Sequence, residues 1–343
     1  MSQRKKKVYS GIGGQAVLEG VMMKNNEKYA VAVRKPNGEI EIDVEAFTGI
    51  GSDSKITKVP FIRGIFNFIN SLILGMKTIN YSASFYEEED EKETSADKSL
   101  EKISKGKEEG FLMTLTTILA FALAIGLFVA LPMFLSGLLK TYIRNESLMA
   151  IIEGVIRILI FLVYVVAISL MKDIRRLYQY HGAEHKCINC IEHGHRLNVH
   201  NVRKSSRLHK RCGTSFIFFV LIVSIVLFVF IKADNMLLKL SLRILLIPVI
   251  AGISYEIIRL AGKSENPIMN ILSAPGLMFQ KITTKEPDDA MIQVAIQSVE
   301  AVFDWRAFLK ENFDKDVEET FEDTTAEALE EEGIENLDAP EEE

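Results

Sequence analysis

Cysteine is scarce in this chain, and its scarcity excludes one class of protein. The 343 residues contain only three cysteines, Cys187, Cys190 and Cys212, which cannot form a paired disulfide framework. The basic N-terminus is not followed by an apolar stretch of the kind that a cleavable signal peptide requires. The sequence therefore gives no indication of a secreted domain held together by disulfides.

Signatures of nucleotide and nucleic-acid binding are missing as well. Residues 10–20 contain four glycines, but no lysine follows at the phosphate-loop spacing and the dinucleotide fingerprint is absent. We therefore expect a structural turn there. Residues 203–211 carry five Lys or Arg without interleaved aromatics and lie next to an apolar run. That pattern favours a membrane-surface patch over a nucleic-acid site.

Long apolar runs are the main feature that is present. The chain is 48% hydrophobic, and the apolar residues are concentrated in residues 111–139, 148–171, 214–231 and 236–260. Each run is long enough to approach or exceed the length of a bilayer-spanning helix. We predict an α-helical integral membrane protein with about four transmembrane helices, arranged as hairpins 111–171 and 214–260. Pro132 predicts a kink or an end in the first helix. Glu153 and Arg157, four residues apart in the second, are predicted to pair near the membrane surface.

Two smaller elements are predicted before the first span. Within residues 29–47, Tyr29–Arg34 is a run of β-forming residues, Pro36-Asn37-Gly38 is a turn signal, and Ile40, Ile42 and Val44 alternate with acids, which predicts a hairpin with one wet face. This gives a small cytosolic β element within an N-terminal region 1–58. Residues 59–81 are apolar, but their uncharged part is about 13 residues, shorter than the ~20 that a span needs. We predict an interfacial or re-entrant helix for this stretch.

The remaining segments are polar. Residues 87–109 are almost entirely charged and predict a flexible linker. Residues 261–317 form a C-terminal cytosolic region, with a turn-rich connector over residues 273–289 and then an amphipathic helix that Asp288 or Asp289 caps. Ile292, Ile296 and Val299 repeat at helical spacing in that helix. Residues 318–343 are an acidic tail that predicts disorder.

Basic residues near the helix ends predict the orientation. Residues 172–213 contain ten Lys or Arg against three Asp or Glu, whereas the short loop 140–147 contains two. The positive-inside rule places the longer segment and both termini in the cytoplasm of the cell and the short loops outside. The bilayer is then one partner, and the cysteines face a reducing compartment as thiols or metal ligands.

The chemistry is concentrated in one of these segments. All six histidines and all three cysteines lie within residues 180–213. His181 and His185 are four apart, so on a helix both imidazoles project from one face and can share a metal, of which zinc is the first candidate. Glu184 completes H-x-x-E-H, the inverted zincin pattern, in which the glutamate can activate water.

The remaining ligands are left open by the sequence. Glu192 would give two histidines, one carboxylate and an open position, which is the catalytic pattern. His209 and Cys212 would instead give a closed four-ligand site, which is the structural pattern. Cys187 and Cys190 could be a metal or redox pair, but the second C-x-x-C of a zinc ribbon is missing.

Several motifs resemble one family. GIGGQAVLEGVMM, YHGAEHK, VRKSSRLHKRCGT and APGLMFQKITTKEPDD, which run from about Ser10 to the helix after Asp289, are similar to the YqhQ-like bacterial membrane proteins, a family of unknown function often labelled as metal-dependent enzymes. The resemblance implies a metal role for the positions that fall inside these motifs: His181, Glu184, His185, His209 and Cys212. It implies no substrate.

Two functions are compatible with this reading. The first is a metal-dependent, hydrolytic membrane enzyme at the cytoplasmic face, with Glu184 as general base. The second is a non-enzymatic membrane scaffold or assembly factor that binds a membrane-protein partner, beside the protein-insertion machinery, and holds at most a structural metal. A closed site favours the second, and an open site facing a cavity favours the first.

The orientation is testable by thiol labelling. A cysteine introduced in loop 140–147 is expected to react with an impermeant thiol reagent in intact cells, because that loop faces outward. A cysteine near Asn198 is expected to react only after the cells are opened. Labelling at the Asn198 position in intact cells would contradict the orientation.

Overall fold

The computed structural model describes residues 7–52, 54–90, 108–231, 235–263 and 266–315. Most of the predicted charged linker, and the acidic tail, lie outside these ranges. The described residues form mostly helices and one antiparallel sheet of strands β1 (Gly13–Val17), β2 (Gly20–Asn25), β3 (Lys28–Arg34) and β4 (Ile40–Ala46). The strands lie in sequence order within the sheet.

The predicted hairpin is confirmed as β3 and β4, which pair from Lys28 opposite Ala46 to Arg34 opposite Ile40. The expectation of a mere turn in the Gly-rich stretch is wrong, because that stretch contains β1, paired with β2. Gly14 is needed on β1 since a Cβ there would collide with the Met22 carbonyl oxygen of the neighbouring strand. The turn itself is confined to the residues between β1 and β2, where Glu19 has a φ of 48°.

The helices among the described residues are bounded as follows: α1 (Ile62–Asp90), α2 (Glu108–Ile125), α3 (Leu131–Gly137), α4 (Glu146–Ile168), α5 (Lys172–Glu192), α6 (Val199–Lys204), α7 (Gly213–Phe228), α8 (Met236–Leu245), α9 (Ile247–Lys263), α10 (Pro267–Thr283), α11 (Asp289–Glu300) and α12 (Trp305–Phe313). A π-helical turn, Gly126–Ala130, joins α2 to α3, and a 3₁₀ turn, Ile56–Lys58, precedes α1.

Both faces of the central strands are covered. Val21, Met23 and Ala32 face a core built with α5, α11 and α12. Val31 and Val33 belong to a second core, where α1 packs through Leu74, Tyr81, Phe85 and Tyr86. The prediction of one wet, acidic face is therefore wrong for β3, and on β4 the apolar Ile42 and Val44 are exposed while Asp43 and Glu45 are half-buried. A strand buried on both faces reads as a continuous apolar run, as YAVAV does.

Helix α1 is longer than the predicted interfacial segment, because it continues to Asp90 and so takes in the start of the charged linker. Its first turn crosses α9 closely: a Cβ on Gly64 would lie 2.9 Å from the Cα of Gly252. Arg63 pairs with Glu256 of α9 next to that crossing, with Nε 2.6 Å from Oε1. Helix α1 thus connects the apolar helices to the sheet.

Two helical segments are long and apolar enough to cross a membrane, Leu115–Gly137 and Glu146–Ile168. The pair α8 and α9 adds a third if it is one span, since the two helices are bent by 41° at their junction. Helix α7 is apolar but has only 16 residues, about 24 Å at 1.5 Å per residue. The described residues therefore show two or three candidate spans where we predicted about four.

The predicted Glu153–Arg157 pair forms, and it belongs to a larger cluster of buried charged residues. Arg157 Nη2 donates to Glu153 Oε1 at 2.9 Å, and Arg243 of α8 donates to Glu153 Oε2 at 2.8 Å. Arg157 also donates to Ser224 of α7 at 3.0 Å. Both guanidinium groups lie 4.8 Å from the ring of Phe228. One buried carboxylate thus joins three apolar helices.

Pro132 contributes to this cluster without ending the helix. Proline has no N–H to donate to the carbonyl four residues earlier, which here is that of Phe128. Arg157 Nε donates to this oxygen at 2.9 Å. The backbone group that proline leaves without its usual donor is thereby satisfied inside an apolar environment.

In the C-terminal region, the predicted turn-rich connector is wrong up to Thr283, because α10 runs through Pro275. Residues 284–288 belong to no helix or strand. Asp288 caps α11 as predicted, accepting from the Met291 backbone N–H at 2.8 Å. Ile292 and Val299 of α11 are fully buried in the core beneath the sheet.

The charge cluster predicts a particular order of stabilities. Glu153→Gln leaves two buried arginines without a counter-charge and is expected to cost about 3–5 kcal/mol. Replacing all three charged residues by leucine removes every buried charge and is expected to cost less. Thermal unfolding in lipid nanodiscs measures both, with Glu146→Gln at the exposed start of α4 as control. A triple variant less stable than Glu153→Gln would contradict the cluster's role.

Candidate metal centre

Helix α5 changes character along its length. Its first turns are mostly exposed, whereas the residues from Tyr180 to Glu192, apart from half-buried His181, are buried. Ala183, Ile188 and Ile191 pack into the core formed with the sheet and α11. The same half of the helix carries polar side chains, so each of them needs a partner within the protein.

These polar side chains donate hydrogen bonds to the backbone carbonyls of the segment 203–208. Lys186 Nζ donates to the carbonyls of Arg203 (2.8 Å) and Ser205 (2.9 Å). Asn189 Nδ2 donates to those of Ser206 (2.6 Å) and Leu208 (3.0 Å). Most of the segment lies after α6 and belongs to no helix or strand, so α5 supplies donors that a sheet would otherwise supply.

The segment after α10 crosses α5 on another side. The backbone N–H of Lys285 donates to the Tyr178 carbonyl at 2.8 Å. Gly182 allows this approach, because a Cβ at that position would collide with the Lys285 carbonyl oxygen. Thr283, at the end of α10, thereby presents its carbonyl to the imidazole of His181.

Three of the predicted ligands are brought together. One ligand atom each from His181, His185 and Cys212 lies within 4.8 Å of the other two. His181 Nε2 lies 3.1 Å from Cys212 Sγ, and the two imidazole centroids are 4.4 Å apart. Cys212 is the N-cap of α7, and its sulfur accepts from the Thr214 N–H at 3.4 Å. A thiolate is stabilised at that end of a helix.

Both histidines are fixed by backbone carbonyls. His181 Nδ1 lies 2.9 Å from the Thr283 carbonyl oxygen, and His185 Nδ1 lies 2.6 Å from that of Arg207. A carbonyl can only accept, so each Nδ1 carries a proton and Nε2, on the side of Cys212, is the nitrogen that can bind a metal. This is the arrangement of supporting hydrogen bonds typical of metal-binding histidines.

The electrostatics of the group also suit a cation. Burial alone would lower the pKa of His181, but the charge and hydrogen bond of Cys212 raise it to about 9. Burial would raise the pKa of the Cys212 thiol, but His181 and His185 hold it well below its ordinary value. The metal-free group is thus a thiolate beside an imidazolium, whose proton a metal ion can replace.

Glu184 lies beside the three ligands but is not one of the group. It lines a cavity of about 330 Å³ together with His181 and Cys212. Its Oε2 is buried and has no hydrogen-bond partner among the described residues. Burial raises its pKa above the ordinary range of a carboxyl group. An unpartnered carboxylate oxygen in a cavity can accept a proton from a reacting molecule.

The other two predicted ligands belong to a neighbouring network. Glu192 accepts from the backbone N–H of Ser10 at 3.0 Å and pairs with Arg211. Its Oε2 lies 3.5 Å from His209 Nε2. Burial would raise the pKa of Glu192, but His209 and Arg211 lower it to about 2. The structure does not bring Glu192 or His209 into the group of three.

The remaining thiols and histidines lie elsewhere. Cys187 and Cys190 are buried in the core between α5 and the sheet. Burial raises the pKa of Cys190 to about 12, which makes it a poor nucleophile and ligand. His193 caps its own helix end through the Asn189 carbonyl at 2.7 Å. None of these residues joins the group of His181, His185 and Cys212.

Sequence reasoning missed the backbone contributions to the site. Gly13 and Gly14 of β1 line the cavity, and a Cβ on Gly14 would lie 3.3 Å from Glu184 Cγ. The only available signal was that GIGGQAVLEG and YHGAEHK occur among the same family motifs. The carbonyls of Thr283 and Arg207 carry no side-chain signal at all.

Comparison with known proteins supports the resemblance. A family model described as "Protein of unknown function (DUF1385)" matches residues 59–305. The "Uncharacterized protein YqhQ" of Bacillus subtilis (strain 168) is 36% identical over 313 residues, which cover 90% of this chain and 97% of the relative. No solved structure matches.

The close crossing at Gly182 gives a prediction about the site. Gly182→Ala should improve helix propensity by about 1 kcal/mol, yet we expect a net loss of about 1–3 kcal/mol because the methyl group displaces the Lys285 carbonyl. Displacement also moves Thr283 from His181, so affinity for zinc should fall.

Thermal unfolding and zinc titration of the purified protein measure the two effects. Gly137→Ala, where a Cβ meets nothing within 4 Å, is the control and should leave zinc affinity unchanged. Unchanged stability and zinc affinity in Gly182→Ala would show that the crossing does not hold the site.

Proposed function

This chain belongs to the DUF1385 family, and from the geometry of its own site we propose that it is a metal-dependent, hydrolytic membrane enzyme. The observation that carries the proposal is the convergence of His181, His185 and Cys212 next to a cavity lined by Glu184, whose Oε2 has no hydrogen-bond partner among the described residues. Three protein ligands with an open side facing a cavity are typical of catalytic zinc sites.

The three ligands fit a divalent metal such as zinc. Two neutral imidazoles with free Nε2 atoms and one thiolate form a mixed nitrogen and sulfur donor set that zinc prefers. Zinc would polarise the substrate's electrophilic group and lower the pKa of water at the open position. The fixed Nδ1 contacts hold both rings in the orientation that binding requires, so little side-chain entropy is lost.

Glu184 is the general base in this proposal. Its free Oε2 takes a proton from the attacking water, the water oxygen bonds to the electrophilic centre, and Glu184 then delivers the proton to the leaving group. Burial raises the pKa of Glu184, which makes its ionised form a stronger base than an exposed carboxylate. Glu184 lies between His181 and His185 on α5, so the helix holds it rigidly relative to both histidines.

The enzyme is proposed to be a multi-pass protein of the cell membrane. Leu115–Gly137, Glu146–Ile168 and the bent pair α8 and α9 supply candidate spans. Helix α7, whose side chains contribute to the same buried charge cluster, is proposed as a fourth. The basic residues of 172–213 then place the site at the cytoplasmic face.

The alternative is the scaffold or assembly factor, in which any metal is structural. A structural zinc site has four protein ligands, and the structure brings three together while Glu192 and His209 bind each other. That observation favours the enzyme, and the two functions differ in what they require of Glu184.

The test compares Glu184→Gln with His185→Ala. Glutamine keeps the shape of Glu184 and removes its basic carboxylate, so the variant should retain bound zinc and its fold. Loss of a general base lowers a rate by about 10²–10⁴-fold, so the variant should fail to complement a deletion strain. His185→Ala should lose both zinc and complementation.

Metal analysis of the purified variants and growth of the complemented strains are the measurements. Glu311→Gln, on the exposed side of α12, serves as control and should behave like the parent protein. Full complementation by Glu184→Gln would reject hydrolysis and favour the scaffold.

A further inference from the structure

Strand β1 is an edge strand, and its outer side lines the cavity that Glu184 also lines. The strands follow one another as β1-β2-β3-β4, so β1 pairs with one neighbour only. All residues from Gly13 to Ala16 line the cavity, and Gly13 and Gly14 are exposed. A Cβ on Gly13 would meet nothing within 4 Å, so the space beside the strand is open. One wall of the cavity is therefore accessible backbone.

The register of the β1–β2 hairpin determines which backbone groups face the cavity. The two strands are joined by a two-residue turn, with Val17 opposite Gly20 as the closing pair. The closing pair of such a hairpin is hydrogen-bonded, and bonded and non-bonded pairs then alternate along the strands. The N–H and C=O groups of Gly14 and Ala16 therefore point away from β2, off the edge of the sheet.

Neighbouring side chains bind some of these edge groups and leave others. The Leu18 N–H, on the same side of β1, donates to Ser82 Oγ of α1 at 3.1 Å. Burial raises the pKa of Glu184, and a hydrogen bond from the Gly14 backbone opposes that rise. Beyond the β1–β2 pairing, no residue of the described ranges forms a hydrogen bond with the Ala16 N–H or with the carbonyls of Gly14 and Ala16. A donor and two acceptors thus remain beside the proposed general base.

These groups match the backbone of an extended polypeptide. A peptide adds to a sheet edge through its own alternating N–H and C=O groups, and pockets beside the edge receive its side chains. The rest of the cavity lining is mixed, because apolar Leu177 and Ile217 lie there with polar Tyr178 and Thr214. At about 330 Å³ the cavity is at the lower end of the roughly 300–1,000 Å³ range of ligand pockets. It can hold a short stretch of chain but not a folded domain.

We propose that the substrate is a polypeptide segment that binds in extended conformation along the free edge of β1 and is cleaved beside Gly14. This inference rests on the proposed hydrolytic function and specifies its substrate class. Residues of a strand are about 3.3 Å apart, so a chain paired with Ala16 carries its next peptide bonds toward Glu184. The water oxygen bonds to the carbonyl carbon, the C–N bond breaks, and Glu184 transfers the water proton to the leaving nitrogen. The products are a carboxylic acid and an amine.

Peptide hydroxamates test this proposal without an assay of activity. Hydroxamates bind metals through two oxygen atoms, and cobalt in place of zinc gives a visible absorption that changes when a ligand binds. The cobalt-loaded full chain in nanodiscs is titrated with acetohydroxamate, with N-acetyl-trialanine hydroxamate, and with forms of the latter that are N-methylated at one peptide nitrogen at a time.

The tripeptide probe is expected to have a Kd about tenfold lower than that of acetohydroxamate, because it adds backbone hydrogen bonds. Successive N–H groups of a strand point to opposite sides. Methylation should therefore raise the Kd about tenfold at a nitrogen that faces β1, and should change it by less than about twofold at the adjacent nitrogen.

Two matched proline variants test the same contact from the side of the protein. Ala16→Pro removes the N–H that points off the sheet and spares the bonds between β1 and β2, a position at which edge strands accept proline. It should raise the Kd of the tripeptide probe about tenfold and leave that of acetohydroxamate within about twofold. Ala46→Pro makes the same change at an exposed position of β4, the other edge strand, and should leave both Kd values unchanged.

The outcomes distinguish the two proposals. If acetohydroxamate binds but the tripeptide probe binds no more tightly, or if methylation acts equally at every nitrogen, pairing with β1 is overturned and the open metal site stands. If cobalt binds but no hydroxamate changes its spectrum, the site is closed, and the proposed enzyme fails together with this inference. The methylation series uses the parent protein, so it decides the question even if Ala16→Pro does not fold.

Discussion

The site depends on one constraint. The backbone of residues 203–208 lies mostly outside any helix or strand, so side chains of α5 have to donate the hydrogen bonds that its carbonyl groups need. Carbonyl groups buried without a donor cost free energy comparable to a lost hydrogen bond. Lys186, His185 and Asn189, on one side of α5, supply donors to five of these carbonyls. The interaction fixes the direction in which the chain leaves the segment, and therefore the position of Cys212 at the start of α7.

The candidate metal centre is consequently assembled from parts far apart in the sequence. His181 and His185 come from α5, Cys212 from the start of α7, and the carbonyl that orients His181 from the end of α10. Gly14 of β1 allows the sheet to approach Glu184. Each part is also held by something other than the site, such as the Lys285–Tyr178 backbone bond. The arrangement can therefore exist before a metal binds.

The sequence was sufficient for features that depend on local spacing. His181 and His185 share a helix face, Glu153 pairs with Arg157, and Asp288 caps α11, each because helical geometry brings such positions together. Cys212 was among the alternatives, but spacing alone could not prefer it to Glu192. Glu192 stays outside the group because Arg211 and Ser10 bind its carboxylate. Neither residue lies on the helix that carries Glu192, so spacing within that helix does not reveal these contacts.

Features that tertiary contacts decide could not be predicted in the same way. Glycines in β1 predict a turn by propensity, yet here Gly14 permits close approach of Met22 and Glu184. Pro275 and Gly276 predict a break, yet α10 continues through them. Gly276 lies where a Cβ would be 2.9 Å from Ser215 Oγ, so packing against α7 accounts for the small residue.

The cluster around Glu153 also bears on how the protein is made. Glu153 and Arg157 lie on the same helix, so α4 can enter a bilayer carrying a self-neutralised pair. Arg243 is synthesised some ninety residues later and brings a further positive charge, which finds the second carboxylate oxygen already in place. Folding in chain order would thus never have to bury an unpaired Glu153 carboxylate, because Arg157 on the same helix already pairs with it. Arg243 of α8 then pairs with a carboxylate that α4 has already placed.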